Sequence, residues 1–215
     1  GANRPLTALI GAYNRAGQRD EAIEFLETIL KDDTDNYQAL ILLGQLQMAN
    51  QKGDDAIAAF EKAIVAEPAR DAAYMNLISY YYSQGDMETA MHRTDSALTV
   101  LENNFGLQLM KASIFENQKD YESAIAVYEA MYAENSGNDV VVNNLASIMS
   151  EYRTDNESQT RALELAVRFR QSSVPHFKDT LGWIYYKVGD INAAISILQD
   201  AVEQMPEMVI FRYHL

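Results

Sequence analysis

Few residues in this chain have both the type and the spacing for bond-making chemistry. The histidines His92, His176 and His214 lie in separate stretches, each without a second histidine or cysteine three or four residues on to complete a zinc pair on a helix. There are no cysteines, which removes thiolate metal sites, disulfides and thiol nucleophiles together. No strand-turn serine elbow, glycine-rich phosphate loop or H-E-x-x-H string occurs. The run Asp32-Asp33-Thr34-Asp35-Asn36 begins like a calcium loop but lacks the required glycine and ends on Gly44 where a bidentate glutamate is needed. It reads as a polar turn with a helix cap. Asp54-Asp55 falls at a helix start, where acids favour the helix dipole. Arg161, Arg168 and Arg170, spaced by seven and two, fan around a helix and are expected to pair with neighbouring acids rather than form a phosphate stripe. No catalytic, cofactor-binding or metal-ligating set is therefore expected, and the chain is read as a non-enzyme.

What the sequence does contain is a repeated scaffold. In Leu181 to Pro206, one helical pattern stops at Gly189-Asp190, and Ala194, Leu198 and Ala201 mark one face of a second. The alanine that opens the second helix recurs at Ala22, Ala56, Ala90 and Ala124, 34 residues apart each time. It then slips to Ala162 and Ala194, through an insertion near Thr154–Thr160 and a two-residue shortening before Pro175. In this register a small-residue position reads Ile10, Gly44, Ile78, Ala112, Ala146 and Gly182. The aromatic position after it reads Tyr13, Gln47, Tyr81, Phe115, Met149 and Tyr185.

A 34-residue helix–turn–helix period with these markers resembles the tetratricopeptide repeat (TPR) family. The resemblance implies an all-α, right-handed superhelical solenoid forming a single array. Its repeats span about 3–36, 37–70, 71–104, 105–138, 139–174 and 175–208, with a partial first helix at 209–215 cut from a longer protein. The second helix of the fifth repeat is expected near Ser158–Gln171. In such arrays the first helices line a groove. Carried onto this sequence, the inward positions that offer contacts to a partner are Gln45, Asn76, Ser79, Tyr82, Met110, Ser113, Asn143, Asn144, Ser147, Asp179, Trp183 and Tyr186. His176, Glu151 and Lys187 also hold inward positions, and Tyr82 is expected to lean into the groove beside an inward-packed Tyr81. Asn76 and Asn144 match the asparagine position of the family's carboxylate clamp, but its lysine and arginine positions are not filled across consecutive repeats. A chaperone-tail receptor is therefore not implied. Amides, hydroxyls, methionines and aromatics suit an extended peptide instead.

The net charge of −14 is spread over the repeats, which disfavours nucleic acid and anionic bilayers and favours a basic partner. No apolar run reaches the length of a membrane span, and Gly1-Ala2-Asn3 carries no secretory pattern. The strings Asn143-Asn144-Leu145-Ala146-Ser147, Asp179-Thr180-Leu181-Gly182-Trp183 and Tyr213-His214-Leu215 resemble the C-terminal part of long bacterial TPR proteins. Those include lipoproteins linked to exosortase (PEP-CTERM) and exopolysaccharide systems, which implies a bacterial envelope or periplasmic scaffold, with cytoplasm left open. Three functions stay in view. The first is a scaffold that binds a protein or peptide segment without cofactor. The second is an assembly module self-associating through the apolar end 207–215, and the third is an accessory domain of an envelope complex.

Overall fold

The computed structural model describes residues 3–215, so the expectation for Gly1-Ala2 lies outside the described residues. The chain forms two compact units, Gly1–Ile114 and Phe115–Leu215. The first unit holds α1 (Asn3–Arg15), α2 (Arg19–Asp32), α3 (Tyr37–Ala49), α4 (Gly53–Ala66), α5 (Asp71–Ser83), α6 (Met87–Val100) and most of α7 (Phe105–Asn117). The second holds α8 (Tyr121–Glu134), α9 (Asp139–Tyr152), α10 (Asn156–Ala166), α11 (Pro175–Lys187), α12 (Ile191–Gln204) and α13 (Val209–His214). The described residues contain helices and turns without strands, as the helix–turn–helix reading expects.

Five of the hairpin turns are built by the same two hydrogen bonds; the exception is the turn from α9 to α10, where Arg153 N–H donates to Met149 C=O at 3.0 Å and no left-handed residue occurs. At the end of α3, Gln51 N–H donates to Met48 C=O (3.0 Å) and Lys52 N–H to Gln47 C=O (2.9 Å). After α7, Lys119 N–H donates to Glu116 C=O (3.0 Å) and Asp120 N–H to Phe115 C=O (2.9 Å). This pairing is the Schellman stop, which needs a left-handed residue at its centre. That residue recurs in register as Gly17 (φ 74°), Gln51 (60°), Gly85 (77°), Lys119 (62°) and Gly189 (88°). The next residue opens the following helix. Asp86, Asp120 and Asp190 accept from the backbone N–H three residues on, at 3.0, 3.2 and 3.1 Å. Gln18 and Lys52 stand in the same place without a side-chain cap.

Small residues set how closely the two helices of a hairpin approach. A Cβ on Gly44 would lie 2.4 Å from the ring of Phe60, and one on Gly182 would lie 2.6 Å from Leu198. Phe60 and Leu198 are both buried, so the glycine is what leaves room for them. In the first unit the packed layers are Ile10, Ala22, Leu26 and Leu46; then Leu40, Ala56, Phe60 and Leu77; then Ile78, Ala90, Ala97 and Leu107. Polar ties between hairpins join residues about one repeat apart. In the first unit these include Tyr37 OH, which accepts from Ala73 N–H at 3.1 Å, and Arg93–Glu61 at 2.7 Å. In the second, Arg161–Glu129 spans 2.7 Å.

Two of the turns between hairpins carry the caps expected from their asparagines. Asn36 accepts from Ala39 N–H at 3.0 Å and donates to Asp33, so the calcium-like run is a turn with its cap. Asn138 accepts from Val140 and Val141 N–H at 3.1 and 3.3 Å. The fifth repeat departs from expectation. Asp155, inside the inserted stretch, caps α10 at 2.8 Å, and α10 ends at Ala166. Val167–Gln171 then winds as a 3-10 helix instead of continuing the α-helix to Gln171. A 3-10 helix rises about 2.0 Å per residue against about 1.5 Å. The greater rise per residue lets the shortened stretch at the end of this repeat reach Pro175, the first residue of α11, with two residues fewer. Arg161 and Arg168 pair with acids, Arg168 reaching Asp139 at 3.7 Å and Ser136 C=O at 2.8 Å. Arg170 instead hydrogen-bonds the Tyr185 hydroxyl.

Candidate functional site

In the first unit, Gln45 on α3 and Asn76 on α5 meet. Gln45 Nε2 donates to Asn76 Oδ1 at 3.3 Å, while Asn76 Nδ2 donates to Ala72 C=O at 2.7 Å. The amides are thus oriented by their own helices, with Gln45 exposed and Asn76 half-buried. Ser79 and Ser113 are half-buried on α5 and α7. Tyr82 and Met110 pack against the layer of Ile78, Ala90 and Leu107. Tyr82 therefore serves the core as well as the surface, as does Tyr81. At the ends of α3 and α5, Met48, Gln51, Gly53, Tyr80, Ser83 and Gln84 line a polar cleft of about 430 Å³.

In the second unit, α9 contributes Asn143, Asn144 and Ser147. Asn143 Nδ2 donates to Asn144 Oδ1 at 3.4 Å, and Asn144 Nδ2 to the Tyr128 hydroxyl at 3.4 Å. Tyr128, buried on α8, donates in turn to Glu116 at 2.8 Å. Burial, then the negative charge of Glu116, pushes the Tyr128 phenol well above its ordinary pKa, so it remains a proton donor. Asn143 Oδ1 is enclosed and has no hydrogen-bond partner among the described residues. Ser147 is exposed beside them.

The densest cluster surrounds the chain's single tryptophan. Asp179 on α11 is buried, 7% exposed, and His214 Nδ1 on α13 donates to its two oxygens at 2.9 and 3.0 Å. The His214 ring stacks on Trp183 at 4.3 Å between centroids, and Tyr186 stacks on Trp183 at 5.1 Å. The indole N–H of Trp183 donates to Glu151 at 3.1 Å, and Lys187 pairs with Glu151 at 3.2 Å. Lys187 also sits 5.3 Å from the indole centroid. Burial raises the Asp179 pKa, against the hydrogen bond from His214 and the charges of His214 and His176. Burial also pushes Glu151 upward, but the bonds from Trp183 and Lys187 outweigh it and hold the carboxyl below its usual value.

Asp179, Trp183 and Tyr186 are thus brought together, as are Gln45 with Asn76 and Asn143 with Asn144. Inward spacing alone did not reveal His214 or Tyr128. His214 stands in the register of Asn76 and Asn144, which was the available signal, whereas Tyr128 lies on a second helix and gave none. Among the described residues no group of three or more His, Cys, Asp or Glu could hold a metal ion. No described helix is long and apolar enough to cross a membrane.

Stacked helix pairs presenting amides, hydroxyls and aromatics from their first helices define a helical-repeat protein. Residues 20–141, more than half of the chain, match the family model described as Cytochrome c-type biogenesis protein H TPR domain. Residues 177–207 match Tetratricopeptide repeat, and residues 6–33 match PPR repeat. The chain belongs to the tetratricopeptide-repeat family, with residues 20–141 falling in the cytochrome c-type biogenesis protein H TPR domain family. Tetratricopeptide repeat protein 21A of Mus musculus is 23% identical over 163 residues, 75% of this chain, and the chain spans 12% of that relative's length. The structure of pilF from Pseudomonas aeruginosa matches with a TM-score of 0.70 at 16% identity, covering 99% of this chain and 96% of that one. YrrB, described as a TPR protein with an unusual peptide-binding site, matches with a TM-score of 0.62 at 14% identity, covering 89% and 98%. At these identities the likeness establishes the fold. TPR proteins are generally non-catalytic scaffolds for protein interaction.

Proposed function

We propose that this chain is a non-catalytic scaffold that holds an extended segment of a partner protein against the inward faces of its first helices. The observation that carries the reading is the set of oriented amides. Gln45, Asn76, Asn143 and Asn144 are held by hydrogen bonds to their own neighbours, and each amide nitrogen keeps a second N–H that can donate to a peptide carbonyl. Ser79, Ser113 and Ser147 add hydroxyls, and Tyr82, Met110 and Tyr186 add apolar area beside them. The absence of any cysteine, together with carboxylates already engaged by His214, Lys187 and Trp183, supports recognition rather than catalysis. An envelope setting in bacteria, including exopolysaccharide export, rests on the resemblance of the last third of the chain.

Photocrosslinking tests this. A photoreactive amino acid at Ser79 or Ser147 should join to members of a random decapeptide pool, and the same group at exposed Ser96 or Gln199 on second helices should not. Equal labelling at all four positions would remove the inward faces from consideration. A second reading, self-association, is favoured by α13, where Val209 is 71% and Tyr213 76% exposed. Light scattering with mass rising with concentration, and crosslinks between copies from position 210, would select it.

A further inference from the structure

In the second unit a buried acid and an indole face lie close together, and a planar side chain of the same chain occupies the place beside them. Asp179 is an acid removed from water on the inward side of α11, with the face of Trp183 close by. His214 lies flat on that indole and directs Nδ1–H into the carboxylate. A flat, N–H-bearing group on an aromatic face with a carboxylate at its edge is also the binding geometry of a guanidinium.

We propose that Asp179 and Trp183 form a subsite for an arginine side chain of the bound partner segment, which His214 occupies from within the chain when no segment is there. The proposal rests on the groove reading above and names the partner chemistry for one part of it. Three features favour arginine. A guanidinium can stack on Trp183 as the imidazole does and also present two N–H groups to the two Asp179 oxygens, where His214 offers one. Lysine has no flat face to replace the ring on the indole. A neutral aromatic would leave the buried Asp179 charge without a partner.

Two carboxylates, Asp179 and Glu151, stand against one ammonium, Lys187, around the subsite, so acid is in excess there. Glu151 on α9 faces it, with its charge shared by Lys187 and the Trp183 indole N–H. His176, on α11, packs edge-on against Phe211 at 5.0 Å. Phe211 is fully buried and anchors α13, so the His214 side chain can swing away while its helix stays docked. The net charge of −14 draws basic segments toward the chain from a distance.

The test uses immobilised nonapeptides in which one position carries arginine, lysine, citrulline or alanine. They are titrated with the unsubstituted chain, His214→Ala and Asp179→Asn, each first checked for an unchanged helical circular-dichroism spectrum. The unsubstituted chain should favour arginine over lysine and citrulline. His214→Ala, with the internal competitor removed, should bind the arginine peptides about tenfold more tightly, the scale of one charge-assisted bidentate contact. Asp179→Asn should bind arginine and citrulline peptides alike. Emission from Trp183, the only tryptophan, should change with arginine peptides alone. Equal binding of all four peptide sets by His214→Ala overturns the subsite while leaving the groove reading intact. No binding of any peptide by any variant removes both.

Discussion

The left-handed residue at the centre of five of the hairpin turns allows a sharp test. Lys119 sits at φ 62° in the Schellman stop after α7, where the register elsewhere places Gly17, Gly85 and Gly189. A residue with a Cβ in that conformation costs roughly 1–2 kcal/mol. A glycine relieves the strain but gives back about 0.4–1 kcal/mol through the greater freedom of the unfolded chain. Lys119→Gly should therefore be more stable than Lys119→Ala by about 0.5–1 kcal/mol. The alanine variant removes the same charge and keeps the strain, so the comparison isolates the backbone. Both would be unfolded in urea with emission from Trp183, which lies in the same unit, as the probe. For a denaturant slope of about 2 kcal/mol per molar, the glycine midpoint should lie roughly 0.3–0.5 M above that of alanine. A glycine variant equal to or weaker than alanine would refute the claim that this turn stores strain.

Gly44→Ala and Gly11→Ala should move stability in opposite directions. The first drives a methyl to 2.4 Å from Phe60 and should cost about 1–2 kcal/mol after the helix-propensity gain, whereas the second meets only the end of Arg15 at 3.5 Å and should gain up to about 1 kcal/mol. Parallel urea curves decide it, and equal shifts would show that the helix contact is softer than the geometry implies. Asp179→Asn should raise the melting temperature at pH 7. Burial raises the pKa of Asp179 in the folded chain, so this group's contribution to stability is present at low pH and lost as pH rises through the folded pKa. The advantage of asparagine should accordingly shrink as pH falls toward the ordinary carboxylate range, and a constant difference from pH 7 to pH 4 would contradict this reasoning.

The hairpin scheme was legible because its markers are local. Ala22, Ala56, Ala90 and Ala124 declare the period, and all four are fully buried. The departures at the small-residue position make sense only in pairs. Gly44 faces Phe60 and Gly182 faces Leu198. Ile78 stands in register with Thr94, a smaller buried residue whose hydroxyl is returned to Ala90 C=O at 2.8 Å. Combined volume is held while its division between the two helices varies, and single positions hide that. The 3-10 segment Val167–Gln171 was not visible, because its winding answers the two missing residues before Pro175 and not a local propensity. The bond from His214 to Asp179 was not visible either. It joins residues 35 apart in different repeats, and only packing decides that the imidazole turns toward the carboxylate.

The polar ties between hairpins share one length scale. Gln45–Asn76, Arg93–Glu61, Arg161–Glu129 and Trp183–Glu151 each join residues 31 or 32 apart. A chain wired in this way can begin folding while it is still being made. At about 5–20 residues per second the ribosome releases one repeat's worth of chain within a few seconds, and each hairpin then has its partner ready to receive it. No helix has to wait, exposed and sticky, for a strand or helix encoded far downstream.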